Sequence, residues 1–256
     1  MEEFTGNGTP LSTGGFGAAL DVLGAPHEAL WAVLSVETSG CGYLDDRRPK
    51  ILFERHYFHR LTHGKFDRDH PDISAPTPGG YGDGGAHQYD RLAAAIALDR
   101  DAALQSASWG IGQIMGANFD AAGFGSAEEM VTAFVTGEDA QLAGMARFMA
   151  HSGMKTALSA GKWATLARQY NGKDYAKHRY DEKLGTYFTR FKTHGCPDID
   201  VRAAQAYLTY KGDDPGGIDG ILGQQTTDAL KAFQAANGLP ADGKPTDATL
   251  AKLAGV

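Results

Sequence analysis

Apolar positions along this chain recur mostly at helical spacings. Leu30, Val33, Leu34 and Glu37 stand at i, i+3, i+4 and i+7, with Pro26 at a first-turn place before them and Gly40 after them. That pattern predicts one amphipathic helix ended by the glycine. Leu92, Ile96 and Leu104 mark helical structure over 89–106, and Ser126 and Glu129 form a capping box ahead of Met130 and Phe134. Leu142, Met145, Phe148 and Met149 form a further stripe, as do Trp163, Leu166, Ala167 and Tyr170, and Tyr175 to Phe191 closes the series. Two stretches interrupt it. Residues 1–19 are rich in Gly, Thr and Ser and read as a flexible arm. Residues 65–87 hold so much Gly, Pro and Asp that a long loop or small hairpin is expected. Loops of that length within a domain are often functional.

The expected fold class is therefore mainly α, with one domain over 20–192 that carries a small irregular or β insertion. His194-Gly195-Cys196-Pro197-Asp198 breaks the pattern, and a linker is expected over 193–198. Residues 199–256 then show an internal echo: Ala203-Ala204-Gln205 resembles Ala232-Phe233-Gln234, and Asp219-Gly220 with Thr227-Asp228-Ala229-Leu230 resembles Asp242-Gly243 with Thr246-Asp247-Ala248-Thr249-Leu250. A small three-helix domain with turn loops is expected there.

Composition narrows the classes. A chain of 256 residues is long enough to bury a core without disulfides or metal, and 2 cysteines are too few for a stapled secreted scaffold. A net charge of −7 argues against a broad nucleic-acid footprint. No uncharged apolar run approaches the ~18 residues that would span a bilayer, so no membrane insertion is expected. Met1-Glu2-Glu3-Phe4-Thr5-Gly6 has neither a basic nor an apolar signal region, and synthesis in the cytoplasm without a signal peptide is expected. No cofactor is implied, and a monomer is expected.

Three segments could carry chemistry. Glu37 ends an apolar stripe, where desolvation would raise its pKa and suit it to general-acid work; the plain alternative is a helix-end glutamate turned to solvent beside Gly40. Ser106-Ala107-Ser108-Trp109-Gly110-Ile111-Gly112-Gln113-Ile114-Met115-Gly116 surrounds a glutamine with three glycines. Glycine permits close approach of a flat ligand, and the amide matches sugar hydroxyls and N-acetyl groups; a glycine-lined internal contact is the other reading. Ala167-Arg168-Gln169-Tyr170-Asn171-Gly172 runs an aromatic stripe into a helix-ending Asn-Gly.

In order, Glu37-Thr38-Ser39-Gly40, Ser108 to Met115 and Gln169-Tyr170-Asn171-Gly172 resemble the Glu-Ser, Gly-Leu-Met-Gln and Tyr-Asn-Ala-Gly motifs of lytic transglycosylases and g-type lysozymes. With Ile51-Leu52-Phe53-Glu54-Arg55-His56 and Gly79-Gly80-Tyr81-Gly82, the closer likeness is to the bacteriophage endolysin family of N-acetylmuramidases, over about residues 22–190. Thr38 stands where the superfamily usually has Ser, and Gly112 where transglycosylases usually carry Met. The tail resembles the peptidoglycan-binding modules of cell-wall hydrolases at Gln205, Leu208, Asp219-Gly220-Ile221-Leu222-Gly223, Thr226, Ala229-Leu230, Phe233-Gln234 and Gly238-Leu239.

The resemblance implies a lysozyme-like α+β catalytic domain that cleaves the β-1,4 bond between N-acetylmuramic acid and N-acetylglucosamine, acting on the wall of the host bacterium after membrane permeabilisation by another protein. By position it makes Glu37 the proton donor, with Gln113, Tyr170 and Asn171 on the substrate and Ser108 and Tyr81 as further binding residues. Gln205, Asp219, Gly220 and Thr226 would serve the wall-binding module, although Asp219-Gly220 also reads as a simple turn. A second carboxylate is needed for hydrolysis, for which Glu54, Asp45 and Asp46 are available; Glu54 interrupts an apolar run, yet it could instead pair structurally with Arg55 or Arg91. Without such a group the substrate's 6-hydroxyl would attack, as in a lytic transglycosylase. His56, His59 and His63 have spacings that would suit zinc in a wall amidase or peptidase, against a plain histidine-rich helix. Cys41 and Cys196 are expected as free thiols.

Overall fold

The computed structural model describes residues 2–37, 41–172 and 175–255. The Thr38-Ser39-Gly40 part of the first motif, with the helix stop expected at Gly40, lies outside them. In chain order the α-helices are α1 (Thr13–Leu23), α2 (His27–Glu37), α3 (Arg55–Leu61), α4 (His87–Leu98), α5 (Arg100–Gln105), α6 (Ala127–Thr136) and α7 (Glu138–His151). They continue as α8 (Lys155–Ser159), α9 (Trp163–Asn171), α10 (Tyr180–His194), α11 (Ile199–Tyr210), α12 (Gln224–Ala236) and α13 (Asp247–Ala254). The strands are β1 (Ile51–Phe53), β2 (Ala107–Trp109) and β3 (Ile114–Met115). The fold is mainly α, as the periodicity predicts. No helix is long and apolar enough to cross a membrane among the described residues.

The chain packs as two compact units, residues 1–9 with 42–152 and residues 10–41 with 153–256. The first unit holds the three-stranded antiparallel sheet, ordered β1-β2-β3, with Ile51 opposite Trp109 and Ser108 opposite Met115. Trp109, Tyr89, Phe53, Phe58, Phe134, Leu92 and Leu104 are buried in this unit. The helical structure expected over 89–106 is two helices, because Asp99 leaves helical geometry (φ −162°) and its carboxylate caps α5 by accepting the Ala102 N–H at 3.0 Å. Ser126 caps α6 as predicted, accepting the Glu129 N–H at 3.0 Å.

Residues 65–86 form a turn-rich loop rather than a hairpin, and α4 begins at His87. Side chains hold its backbone. Arg91 donates to the Gly80 and Asp72 carbonyls, Gln88 Nε2 to those of Tyr81 and Asp83, and Arg55 Nε to that of Thr77. Gly80 is required, since its φ is +68° and a Cβ there would lie 2.7 Å from the Arg55 guanidinium carbon.

In the second unit α2 packs chiefly on α10, burying Leu30, Trp31, Val33 and Leu34. The expected flexible arm is instead built into the fold. Phe4 and Leu11 are buried, and α1 forms in spite of its glycines because Ser12 caps it, Gly24 closes it in the left-handed region, and Phe16, Leu20 and Leu23 bury one face. Burying that face outweighs glycine's cost of ~1 kcal/mol per helical position. Phe16 stacks on Trp31, with ring centroids 4.8 Å apart. Helices α11, α12 and α13 close around Ala204, Leu208, Leu230 and Leu253, the small three-helix domain that the sequence predicts.

Candidate functional site

The last described residue of α2 is Glu37, one turn beyond the buried Val33 and Leu34. Burial pushes its carboxyl up to about 6, against the smaller opposing effects of the Asn171 hydrogen bond and the Lys183 charge. Asn171 Nδ2 donates to Glu37 Oε1 at 3.2 Å. Asn171 can do so because α9 ends on it: Gly172 has φ 74° and ψ −166°, a conformation open essentially to glycine alone. The Tyr170 hydroxyl is held well above its ordinary pKa by burial and then by the Glu37 charge, and Tyr180 is raised by the same two causes in the same order. Glu37, Tyr170 and Asn171, drawn together by motif resemblance, thus share one site. Tyr180 and Lys183 join them from the first turn of α10. The sequence reading missed this pair, although their spacing of three puts both on one helix face.

The first unit carries the other residues expected to act on the substrate. Glu54 stands at the N-cap position of α3 but makes no side-chain cap bond. Its Oε1 accepts the Tyr81 hydroxyl at 3.2 Å, and its Oε2 lies 3.1 Å from His56 Nδ1. The Glu54 charge and burial both raise the Tyr81 hydroxyl, burial more, while the Tyr81 ring stays 37% exposed at the surface. Glu54 therefore faces Tyr81 and His56, not the Arg55 or Arg91 ion pair that the sequence left open. Asp46 pairs instead with Arg48 as a local ion pair at 2.6 Å.

Ser108 and Gln113 are joined, the serine hydroxyl donating to Gln113 Oε1 at 2.9 Å. Both donors of the Gln113 amide go to main-chain carbonyls, Gly110 at 2.9 Å and Lys50 at 3.2 Å. In this arrangement Gln113 has no N–H left for a sugar. The surrounding glycines are packing residues, not a ligand platform. A Cβ would lie 2.5 Å from the Gln141 side chain at Gly110, 2.8 Å from Met145 at Gly112, and 2.0 Å from the Leu104 carbonyl oxygen at Gly116.

In the three-helix domain, Gln205 and Thr226 are buried. Gln205 Oε1 accepts the Asp219 and Gly220 N–H groups at 3.0 and 2.8 Å. Its Nε2 donates to Asp219 Oδ1, the Ile221 carbonyl and Thr226 Oγ1. These residues pin the Asp219-Gly220 turn and have their polar groups satisfied internally. Gly220 has φ +72° and a Cβ there would come 2.7 Å from Pro197, so the turn reading is the one observed. The same clasp recurs: Gln234 Oε1 accepts the Gly243 N–H at 2.8 Å, and its Nε2 donates to Asp242 Oδ1, the Lys244 carbonyl and Thr249 Oγ1. The repeat is thus registered on Thr226 and Thr249, equally spaced from their Asp-Gly turns, and not on Thr227 and Thr246.

Of the three spaced histidines, His59 pairs with Asp67 at 2.7 Å while His56 faces Glu54. Among the described residues no group of three or more His, Cys, Asp or Glu side chains is arranged to hold a metal ion. Cys41 and Cys196 are free, the first buried and the second exposed.

A family model described as N-acetylmuramidase matches residues 26–192. The chain belongs to the N-acetylmuramidase family. A second model, described as "Putative peptidoglycan binding domain", matches residues 198–253 of this muramidase. Among solved structures, the muramidase is similar to the crystal structure of Burkholderia AP3 phage endolysin, with 37% identity over 72% of each chain and a TM-score of 0.67. No curated protein matches. The protein is a glycoside hydrolase of the muramidase class that acts on peptidoglycan, joined to a peptidoglycan-binding domain.

Proposed function

We propose that this muramidase cleaves the β-1,4 bond between N-acetylmuramic acid and N-acetylglucosamine, with Glu37 as general acid. The observation that carries the reading is the Glu37 carboxyl, pushed up to about 6 by burial at the end of the apolar stripe of α2. A donor near that value holds its proton in mildly acidic solution yet can release it to a leaving glycosidic oxygen. The Asn171 amide and the Lys183 charge then stabilise the carboxylate that forms. Tyr170 and Tyr180 line the same carboxyl.

Glu54 is the second carboxylate, acting as base or nucleophile. Its free N-cap position and its bond from Tyr81 support this assignment, and the exposed Tyr81 ring offers a face to a sugar. Ser108 and Gln113 act at one remove, by fixing the β2–β3 turn. In the wall-binding domain, Gln205, Asp219, Gly220 and Thr226 shape the surface that meets the glycan. The enzyme works on the wall of a host bacterium as a phage endolysin does.

Mass spectrometry of digested peptidoglycan tests the bond and the outcome together. Reducing N-acetylmuramic acid ends are expected. Reducing N-acetylglucosamine ends would refute the bond assignment, and 1,6-anhydromuramic ends would replace hydrolysis by transglycosylation. Activity that survives EDTA is also expected, whereas loss restored by zinc would support an amidase or peptidase.

A further inference from the structure

Ser, Thr, Asp and Asn at a helix N-cap turn their side-chain oxygen back to an N–H of the first turn. Glu54 does not. Its main chain serves the helix, with the Glu54 carbonyl accepting the Tyr57 and Phe58 N–H groups at 2.9 and 3.3 Å, while the carboxyl points elsewhere. Oε1 meets the Tyr81 hydroxyl. Oε2 and His56 Nδ1 lie 3.1 Å apart, both are buried, and neither has a hydrogen-bond partner in its present orientation. Two buried polar atoms left so cost ~1–3 kcal/mol each, unless one proton serves both. A small rotation of the imidazole would align a donor on Nδ1 with the carboxylate at a distance already suited to a hydrogen bond.

We propose that His56 is a positioning residue for Glu54: its Nδ1–H donates to Oε2 and, with the Tyr81 hydroxyl on Oε1, fixes the plane of the carboxylate. This rests on the reading of Glu54 as the second carboxylate. The remaining neighbours fit the role. The Tyr57 ring stands edge-on to the imidazole at 5.0 Å and 70°, limiting its rotation. The Arg55 and Arg91 charges flank Tyr81 and Glu54. His56 also lines a surface concavity with His59, Arg60, His63 and Pro76, so the imidazole is partly open to solvent. Held at both oxygens, Glu54 would present one geometry to the sugar instead of several. A carboxylate mispositioned by an ångström can lose ~100-fold in rate.

The direct test is the tautomer of His56 in the full-length protein, read by nitrogen-15 correlation spectroscopy of labelled histidine at a pH where the ring is neutral. The Nδ1–H form is expected, with that preference lost in Glu54→Ala. An unprotonated Nδ1 would overturn the proposal. In kinetics on purified peptidoglycan, His56→Phe should lower kcat roughly 10- to 100-fold with KM little changed. His56→Asn, whose amide N–H falls near the Nδ1 position, should recover most of it. An asparagine variant no better than phenylalanine would also overturn the proposal. An inactive Glu54→Gln beside a fully active His56→Phe would remove the positioning role alone, whereas a fully active Glu54→Gln would remove the reading of Glu54 as well.

Discussion

Asn171 Nδ2 donates a 3.2 Å hydrogen bond to Glu37 Oε1, tying the end of α9 to the end of α2. The bond favours the ionised carboxyl, and burial favours the neutral one by more, which leaves the group at about 6. Removing the amide takes away one of the two opposing effects. Asn171→Ala should therefore move the alkaline limb of the kcat/KM profile upward by up to about one pH unit, as expected for a hydrogen bond to a charged group. A pH–rate profile checks this, and a downward shift would contradict it.

The same carboxyl links stability to pH. Its folded value lies above the unfolded value of 4.5, so its contribution is fully present below 4.5 and is lost as pH rises through about 6. The loss is at most about 2 kcal/mol above that range. Glu37→Gln removes the ionisation, so it should raise Tm by a few degrees at pH 8 and by little or nothing at pH 4. Thermal unfolding at both pH values tests the sign.

Packing explains the glycines of the second motif. An added methyl at Gly116 would meet the Leu104 carbonyl oxygen at 2.0 Å. Backbone cannot yield as a side chain can, so Gly116→Ala should cost about 3 kcal/mol or more. Denaturant unfolding would show this as a lower midpoint. A variant that keeps its stability but loses substrate affinity would instead favour a ligand platform.

Gln205 serves the wall-binding domain from inside. Five hydrogen bonds from one buried amide hold the Asp219-Gly220 turn and Thr226. Gln205→Ala leaves several buried groups unpaired at ~1–3 kcal/mol each. The three-helix domain should then unfold at lower temperature, and Gln234→Ala should do the same through the second clasp. Calorimetry separates this from a direct contact role, in which wall binding would fall with the unfolding transition unchanged.

What was legible in the sequence is what local periodicity determines. Leu30, Val33 and Leu34 place α2, Ser126 places the start of α6, and the Gln–Asp-Gly echo gives the small domain. The ordered motifs locate Glu37 with Tyr170 and Asn171. Contacts between distant segments were not legible. Phe4 is buried though its neighbours are glycine-rich, and α1 survives its glycines through the Ser12 and Gly24 caps and the Phe16–Trp31 stack. The strands at 51–53, 107–109 and 114–115 are too short for alternation to be visible and exist through their mutual pairing. Gln113 reads as a ligand residue in one dimension because nothing in the sequence reveals that Lys50 and Gly110 take its donors. Tyr180 and Lys183 were missed for the same reason, since each matters through Glu37, a partner remote from it in the sequence.

Turnover of purified peptidoglycan by Glu37→Gln, with folding and wall binding shown to match the unaltered protein, tests the central claim most directly. Loss of a general acid predicts a fall in kcat of about 100- to 10,000-fold. A variant that clears the substrate at the unaltered rate would show that the proton comes from elsewhere.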